Sequence, residues 1–324
     1  MTTAWTPLHA HLHRTLKERR LLKQEQRILI AVSGGQDSVC LAKLLLDLQP
    51  KWQWSLAIAH CDHRWRADSA DNATFVRELA QQWRLPYFQQ TAETVSTTEA
   101  TAREWRYTCL TEIAHTFNYQ HIATGHTASD RAETLLYNLV RGSGADGLQA
   151  LTWQRTLTPL IKLVRPLLDL TRTQTAQFCQ ENTLSIWEDK TNQDVTFVRN
   201  RIRLEVLPYL ATHFNPQVER ALAQTAELLQ AEVEFLEHTA IALFQTISHT
   251  DDPSRFNRRI LRQAPIALQR RVIRKILQTR LPIAPSFEHI EKLVALLTAS
   301  NRAQTDPFPG GEIAQVNGDW ICFL

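Results

Sequence analysis

The sequence predicts an α/β fold, with a Rossmann-like parallel sheet in an N-terminal domain followed by a mainly helical C-terminal domain. Short apolar runs alternate with longer amphipathic stretches through the first two-thirds of the chain, and helical patterning prevails after about residue 213. Strands that alternate with helices of this length form parallel sheets covered on both faces. Because 324 residues exceed the usual size of one domain, we expect two domains, at residues 1–213 and 214–324.

The individual elements follow from the period of the apolar residues. Strands are expected where apolar runs are short, at Arg27–Val32, Trp54–His60, Leu85–Gln90 and His121–Gly125. Helices are expected at Ser38–Leu48, Ser69–Trp83, Thr98–Phe117, Val218–Phe244, Ala267–Thr279 and Phe287–Ala299. The alternating segment Phe308–Leu324, with its Pro-Gly-Gly sequence, predicts a terminal hairpin.

Composition excludes several classes of protein. Hydrophobic residues make up 44% and charged residues 21%, which is the balance of a folded chain rather than a disordered or fibrous one. The net charge of +3 does not by itself indicate a nucleic-acid-binding protein. Charge is nevertheless segregated, because Asp251–Arg280 holds nine arginine or lysine residues against two aspartates. A nearly neutral chain can therefore carry a strongly basic face.

The cysteines and the apolar runs predict a cytoplasmic protein. No two of the five cysteines form a C-x-x-C pair, which argues against a zinc ribbon, a dithiol redox site and a disulfide scaffold, and fits a reducing compartment. Nowhere do 18 consecutive apolar residues occur, and the first residues lack the apolar core of a signal peptide. We therefore expect no membrane span.

A loop typical of phosphate binding joins the first strand to the first long helix. Its sequence, Ser33–Ser38 (S-G-G-Q-D-S), aims free N–H groups and the positive helix end at whatever lies there. We expect both glycines to adopt positive φ and to let phosphate oxygens approach the backbone. Without a lysine after the glycines, this is not a Walker A loop. The alternative is an ordinary strand-to-helix turn. The expected nucleotide-binding residues are Ser33, Gly34, Gly35, Gln36, Asp37 and Ser38.

Asp37 carries a separate expectation. A carboxylate beside a phosphate is repelled unless a cation bridges the two, and Mg²⁺ commonly does so with one or two carboxylates and substrate phosphates. We therefore expect ATP and Mg²⁺ at this loop, with Asp37 as a magnesium ligand.

The loop resembles the PP-loop of the N-type ATP pyrophosphatases, which activate an oxygen atom as its adenylate and release pyrophosphate. Three further blocks follow it in order. They are Ala102–Tyr107 (A-R-E-W-R-Y), Thr124–Thr134 (T-G-H-T-A-S-D-R-A-E-T), and Glu188–Asn192 with Phe197–Arg203. Together these blocks resemble the tRNA(Ile)-lysidine synthases, in their short form. The resemblance is strong over residues 28–210 and looser through the C-terminal domain to Pro309–Gly311.

The resemblance implies a two-step ligation. ATP adenylylates the 2-oxo oxygen of the wobble cytidine in the CAU anticodon of tRNA(Ile), and pyrophosphate leaves. The ε-amine of free L-lysine then attacks carbon 2, and AMP leaves. The first step is needed because a carbonyl oxygen is a poor leaving group, whereas an adenylate is a good one.

The resemblance also implies the catalytic residues. Asp37 matches the ATP and Mg²⁺ site, and the second block contributes its histidine and two acids. If Asp130 opens a helix, Glu133 shares its face, and the pair would hold the lysine ammonium or a magnesium ion, or accept the amine's proton. The two matching arginines would neutralise phosphate charge or hold the RNA backbone. The expected catalytic residues are Asp37, Arg106, His126, Asp130, Glu133 and Arg199.

The same residues also have ordinary structural interpretations. In isolation, Asp130 and Glu133 would be solvated first-turn acids that favour the helix dipole. A single histidine such as His126 at a strand end is usually structural, and arginines at 199, 201 and 203 usually form a solvated basic face. The joint occurrence of the blocks favours the functional interpretation.

Three positions of the second block differ from the commoner family sequence, G-H-H-x-D-D-Q-x-E-T. Thr127 replaces the second histidine, Ser129 replaces the first aspartate, and Arg131 replaces the glutamine.

The basic stretch Asp251–Arg280 is the expected tRNA-backbone surface, because phosphate contacts dominate affinity for nucleic acids. The alternative is a solvated helix that balances the acidic helix before it. The expected tRNA-binding residues are Arg258, Arg259, Arg262, Arg270 and Arg271.

Two other functions are compatible with a PP-loop. A tRNA thiolase of the same superfamily usually needs paired or cluster-binding cysteines, which this sequence lacks. A non-catalytic ATP- and RNA-binding module would not need Asp37, Asp130 and Glu133, all of which are present.

Overall fold

The computed structural model describes residues 5–65, 68–94, 98–188 and 193–324. It divides into two compact units, Met1–Leu229 and Gln230–Leu324. The division falls inside one long helix, Val218–Ile247, and the domain boundary expected near residue 213 stays a prediction. Each unit is described separately below.

The first unit alternates strands with helices, as expected. Its strands are β1 (Arg27–Ala31), β2 (Ser55–Asp62), β3 (Tyr87–Thr91), β4 (His121–Thr124), β5 (Gln154–Thr158) and β6 (Ile161–Val164). Its helices are α1 (Pro7–Glu18), α2 (Gln36–Trp52), α3 (Ser69–Gln82), α4 (Glu99–Thr116), α5 (Ala128–Val140), α6 (Ala145–Leu148), α7 (Arg172–Glu181), α8 (Val198–Arg201) and α9 (Leu207–His213). A π-helical segment, Ile202–Val206, joins α8 to α9.

The six strands form one sheet in the order β3-β2-β1-β4-β6-β5, which confirms the α/β fold class. All neighbouring pairs are parallel except β5 with β6, which form an antiparallel hairpin at the sheet edge. The central run Ile28–Ile30 is fully buried, because helices cover both faces of the sheet. The apolar runs predicted β1 to β4, whereas β5 and β6 were not anticipated.

The order of the strands determines where a ligand can bind. Strand β1 lies between β2 and β4, so the chain connections leave β1 in opposite directions along the sheet. In open α/β sheets, ligands bind in the crevice at the carboxyl ends of the strands where this reversal occurs. The loop after β1 and the loop after β4 therefore form the expected site.

The second unit is mainly helical. It contains most of α10 (Val218–Ile247), together with α11 (Arg258–Gln263), α12 (Ile266–Gln278) and α13 (Phe287–Leu296). Strands β7 (Arg255–Asn257), β8 (Ala314–Asn317) and β9 (Trp320–Phe323) form an antiparallel sheet in the order β7-β9-β8. The hairpin of β8 and β9 confirms the one expected near the end of the chain, and Gly318 in its turn has a φ of 59°.

All five cysteines are free thiols. Within the described residues, every helix is too short or too polar to cross a bilayer.

Candidate active site

The loop after β1 has the geometry of an anion-binding turn. Gly34 has a φ of 89°, whereas Gly35 caps α2 with a φ of −70°. The expectation of positive φ is therefore wrong for Gly35, because the second glycine already belongs to the helix entry, where extended backbone is normal. A Cβ atom on Gly34 would lie 2.8 Å from the Asn72 side-chain nitrogen and 3.1 Å from the Trp187 Cβ atom. Only glycine fits there.

Several hydrogen-bond donors near this loop have no partner in the described part of the chain. Helix α2 begins without a side-chain cap, so its first N–H groups point into the crevice. The Asn72 amide nitrogen, which lies next to Gly34, is buried and lacks a hydrogen-bond partner among the described residues, and so does the indole nitrogen of Trp187, whose Cβ atom is close to Gly34. The two loop hydroxyls lie 3.3 Å apart, between Ser33 and Ser38. Buried donors without partners are costly, so this arrangement fits an anion with several oxygens.

Gly125 brings the second loop against the first. A Cβ atom at this position would lie 2.8 Å from the backbone carbonyl of Asp37 and 2.9 Å from the Ser38 nitrogen. A side chain here would push the loop after β4 away from the start of α2. The glycine therefore lets the two loops face each other at the topological switch point.

Three carboxylates converge on a single arginine. The guanidinium of Arg172 donates to Asp37 at 3.2 Å, to Asp130 at 2.5 Å and to Glu133 at 2.8 Å. Thr175, one helical turn after Arg172 on α7, donates its hydroxyl to Asp37. Asp130 and Glu133 follow Asp37 by 93 and 96 residues along the chain, so the structure brings together expected acids that are distant in sequence.

A second arginine completes the cluster. Arg203 makes a two-point contact with Glu133, from Nε at 2.7 Å and from Nη2 at 3.0 Å. Its side chain projects from the π-helical segment, a rare geometry that often occurs at functional sites. We name Asp37, Asp130, Glu133, Arg172 and Arg203 the acid–arginine cluster.

Sequence reasoning missed Arg172, Thr175 and the specific contact of Arg203. One signal was present for Arg172, since T-R-T-Q is a helix-start sequence and Thr171 caps α7. That start places Arg172 in the first turn, where the helix dipole disfavours a cation. An arginine in such a position is stabilised when carboxylates surround it.

The two aspartates of the cluster differ in their electrostatics. Burial raises the pKa of Asp37, although Arg172 and Thr175 oppose this effect. Burial alone would also raise the pKa of Asp130, but Arg172, His126 and the Thr127 hydrogen bonds together hold it below its ordinary value. Asp130 is therefore the more firmly ionised of the two.

His126 lies between the acid–arginine cluster and a group of cationic side chains. Its Nδ1 atom is 2.9 Å from the Thr124 hydroxyl. Burial and the positive charges of Arg165 and Arg106 together lower the pKa of His126 to about 3, although Asp130 opposes them. The imidazole is therefore neutral near pH 7 and a weak base, suited to hydrogen bonding rather than to proton abstraction.

The two arginines expected at the site lie outside the acid–arginine cluster. Arg106, on α4, is half-buried, and its guanidinium lies 5.7 Å from the Tyr107 ring centre. Arg199, on α8, lies 5.8 Å from the Tyr137 ring centre. Within the third sequence block, Asp189–Asn192 fall outside the described residues.

The three departures from the commoner second block have structural partners. Thr127 caps α5, and its backbone N–H and hydroxyl both donate to the Asp130 carboxylate in a reciprocal capping box, so it fixes that carboxylate. Ser129 donates to Glu219 at 2.5 Å and accepts from the backbone nitrogen of Arg172. Through these contacts, Thr127 and Ser129 help to position Asp130 and Arg172 of the acid–arginine cluster.

The third departure, Arg131, forms a buried ion pair. Its side chain is 2% exposed and donates to Glu227 at 2.5 Å, and the same carboxylate accepts from Arg19 at 2.6 Å and from the Trp153 indole at 2.7 Å. An ion pair thus connects Arg131 on α5 to Glu227 on α10.

Replacing Glu227 by alanine should lower the free energy of unfolding by about 3 kcal/mol, because it leaves the buried Arg131 guanidinium without its counter-charge. Urea unfolding at pH 7 measures the change. The exposed Glu232, on the same helix, is the matched control, and its replacement by alanine should change the free energy by less than about 0.5 kcal/mol. Equal losses in both variants would show that the ion pair does not stabilise the protein.

The five expected tRNA-binding arginines have different surroundings in the second unit. Arg258 is half-buried and donates to three backbone carbonyls, those of Gly318, Leu296 and Ala299. Others meet carboxylates: Arg270 contacts Glu291 at 2.7 Å, Arg271 contacts Glu237 at 3.3 Å, and Arg259 lies 3.9 Å from Asp319. Arg259 and Arg262 are exposed.

Magnesium fits the loop through Asp37. Within the described residues, no three histidine, cysteine, aspartate or glutamate side chains form a metal-binding group. Mg²⁺ does not require one, because it commonly uses one or two carboxylates and fills its other positions with substrate phosphates and water. Asp37, at the positive end of α2, supplies an oxygen donor of the right kind beside the phosphate-binding loop.

The fold and the loop define a class of protein, the ATP-using PP-loop enzymes. A family model described as a PP-loop domain matches residues 6–210, and a model described as a TilS substrate binding domain matches residues 257–315. The chain belongs to the tRNA(Ile)-lysidine synthase family.

Curated relatives support this membership over nearly the whole chain. The tRNA(Ile)-lysidine synthase of Nostoc sp. is 63% identical over 98% of this chain and 96% of its own length. That of Synechocystis sp. is 54% identical over 99% and 98%. Among solved structures, the U34-tRNA thiolase NcsA from Methanococcus maripaludis has a TM-score of 0.56 at 15% identity, and the match covers 69% of this chain and 78% of the other. This last likeness shows the fold alone.

Proposed function

We propose that this enzyme ligates L-lysine to carbon 2 of the wobble cytidine in the CAU anticodon of tRNA(Ile), forming lysidine. ATP is cleaved to AMP and pyrophosphate through an adenylylated cytidine. The observation that carries the proposal is the acid–arginine cluster facing the phosphate-binding loop across the switch point of the sheet. Membership of the family supports the choice of substrates.

ATP binding is supported by the donors around Gly34. The uncapped start of α2, the hydroxyls of Ser33 and Ser38, and the Asn72 amide nitrogen, which has no partner among the described residues, lie together at this loop. Backbone N–H groups and hydroxyls hold phosphate oxygens at such helix starts. Asp37 would hold Mg²⁺, which would neutralise charge on the departing pyrophosphate.

Lysine binding is supported by the charge balance of the acid–arginine cluster. Three carboxylates face two guanidinium groups, so one negative charge has no counterpart within the cluster. Glu133 is almost fully buried, and its two oxygens already hold cationic nitrogens. We assign the lysine ammonium to Asp130 and Glu133, which would receive it by rearranging their contacts with Arg172.

The proton of the attacking amine is assigned to a carboxylate rather than to histidine. The lowered pKa of His126 leaves it a poor base. Burial raises the pKa of Asp37, whereas that of Asp130 is held low, so Asp130 is suited to holding a cation and less suited to accepting a proton. Asp130 is therefore assigned to holding the lysine ammonium, and His126 is assigned a hydrogen bond to the substrate.

The second unit is assigned the binding of tRNA. The TilS substrate binding domain model spans the helices that carry the expected arginines. Of the three exposed arginines, Arg270 is held by Glu291 at 2.7 Å, whereas Arg262 and Arg259, which only approaches Asp319 at 3.9 Å, are available for phosphates. Arg258 instead stabilises the turn before β9 through its contacts with carbonyls. We therefore propose that Arg259 and Arg262 contact the RNA backbone.

Incubation of the purified enzyme with ATP, Mg²⁺, labelled lysine and a tRNA(Ile) transcript with the CAU anticodon tests the proposal. The label should enter the tRNA, with AMP and pyrophosphate released in equal amounts, and omission of ATP should prevent labelling. A transcript whose wobble cytidine is replaced by uridine is the matched control and should remain unlabelled. Failure to label the first transcript would contradict the proposal.

The other functions considered from the sequence are not favoured. The likeness to a tRNA thiolase is a likeness of fold at low identity, and this chain has no C-x-x-C pair. A non-catalytic module would not require three carboxylates to converge on Arg172 beside a phosphate-binding loop.

A further inference from the structure

A group of cationic side chains surrounds Tyr107 on α4, apart from the acid–arginine cluster. Three guanidinium groups lie near its ring centre: Arg155 at 5.1 Å, Arg106 at 5.7 Å and Arg103 at 5.8 Å. A fourth arginine, Arg165, is 2% exposed and lies beside the tyrosine hydroxyl, where it also donates to the Thr152 carbonyl at 2.6 Å. We name these four arginines and Tyr107 the Tyr107 group.

The positive charges of the Tyr107 group lack carboxylate partners among the described residues. Within the part of the chain that the structure describes, none of its four arginines forms an ion pair with a carboxylate. Glu104 and Glu112 line the same surface cavity but lie beyond ion-pair distance. Four neighbouring positive charges without counter-charges repel one another, so an anion bound there would stabilise them.

The cavity is open to large ligands. It has a volume of about 540 Å³, and Arg103, Tyr107 and Arg155 form part of its lining. Arg155 lies opposite Leu163 near the carboxyl end of β6, and β6 pairs in parallel with β4, so the carboxyl ends of these two strands lie at the same end of the sheet. The part of the cavity that Arg155 lines therefore lies at the same end of the sheet as His126 and the phosphate-binding loop.

The position of the cavity distinguishes it from the ATP phosphate site. Strand β5 is three strands from β1, which corresponds to about 15 Å at a spacing of about 4.8 Å per strand. The triphosphate occupies the loop after β1, so a second anion site at this distance fits a different phosphate. In the proposed reaction, the RNA chain supplies such phosphates on either side of the target nucleotide.

We infer that the Tyr107 group binds a backbone phosphate of the substrate RNA next to the wobble cytidine, through Arg103 and Arg155 at the rim of the cavity. The buried Arg165 and the half-buried Arg106 raise the local positive potential. This inference rests on the proposed function for the identity of the RNA, and it adds a binding site in the first unit to the expected one in the second.

The double variant Arg103→Gln/Arg155→Gln tests the site with the anticodon stem-loop of tRNA(Ile) as the probe. Its affinity for the stem-loop at 0.15 M salt should fall about tenfold or more. The slope of log affinity against log salt should flatten by about one unit, because a phosphate contact is lost. The apparent KM for ATP should stay within about twofold of the wild-type value.

Arg27→Gln is the matched control, because Arg27 lies 4.9 Å from the ring centre of another tyrosine, Tyr119, but at the opposite edge of the sheet. It should leave stem-loop affinity and salt slope unchanged. An unchanged slope in the double variant would overturn the inference, and so would a raised KM for ATP with unchanged stem-loop binding.

The pH dependence gives a second measurement. Although burial opposes it, the surrounding arginines lower the pKa of Tyr107 to about 8. Stem-loop affinity should therefore weaken as pH rises from 7 to 9, because a tyrosinate forms beside the bound phosphate, and Tyr107→Phe should remove this dependence. The same dependence in Tyr107→Phe would contradict the site.

Lysidine formation by the wild-type enzyme is measured in parallel. A wild-type enzyme that does not transfer lysine would contradict the proposed function. An active enzyme whose double variant binds the stem-loop normally would contradict only the phosphate site.

Discussion

Replacing Asp37 by asparagine should reduce pyrophosphate release by about 10²-fold or more. The amide preserves the size of the side chain but removes the charge that would hold Mg²⁺ beside the phosphate-binding loop, an interaction that contributes several kcal/mol at such sites. The affinity for tRNA should stay within about twofold of the wild-type value, because Asp37 lies at the phosphate-binding loop and is not among the residues proposed to contact the RNA. Pyrophosphate release and stem-loop binding are measured on the same preparation.

Asp47→Asn is the matched control for the loss of a carboxylate from the same helix. Asp47 pairs with Lys43 at 2.5 Å and with His9 at 3.1 Å, remote from the start of α2. Its replacement should leave pyrophosphate release within about twofold at a temperature where both proteins are folded. Near-normal release by Asp37→Asn would contradict the assigned magnesium ligand.

Much of the fold could be predicted because the spacing of apolar residues within each short segment indicates its secondary structure. The runs that became β1 and β2 are apolar and short, and the helices between strands repeat their leucines at helical spacing. Strand β5 was not predictable in the same way, because Gln154–Thr158 lies at the sheet edge and is mostly exposed, so polar residues are tolerated there. Its pairing with β6 depends on tertiary contacts.

The candidate site was predictable only where residues sit in motifs. Asp37, Asp130 and Glu133 follow strand ends, so their convergence at one edge of the sheet could be anticipated. Arg172 lies 135 residues after Asp37, and no local period specifies where its long side chain points. In the basic stretch, the sequence pattern predicted Arg258 to be an exposed, RNA-binding side chain. In the folded chain it donates to three backbone carbonyls instead, and these contacts cannot be predicted from the local sequence.

Replacing Arg172 by alanine should reduce lysidine formation by about 10²-fold or more, because its guanidinium holds all three carboxylates in place. Arg172→Lys should not restore activity, since one ammonium group cannot reproduce the forked contacts with three acids. The KM for lysine should rise in both variants. A merely structural arginine would lower the melting temperature without changing that KM.

The effect of Arg172→Ala on stability should depend on pH with a definite sign. At pH 7 the loss should be about 2–4 kcal/mol, because three neighbouring carboxylates lose their shared counter-charge. Burial by itself raises the pKa of Asp130, but Arg172 and other contacts hold it below the ordinary value of 3.8. The stabilisation is therefore fully present above that value and is lost as pH falls through the lower folded-state pKa.

The difference in unfolding free energy between wild type and Arg172→Ala should accordingly be smaller at pH 3 than at pH 7, with the decrease occurring mainly below pH 3.8. The variant's carboxylates take up protons more readily, and this relieves their repulsion. Arg14→Ala, at an exposed position of α1, is the control and should show a small difference at every pH. A difference for Arg172→Ala that stayed constant across this range would mean that packing, rather than charge, explains its contribution.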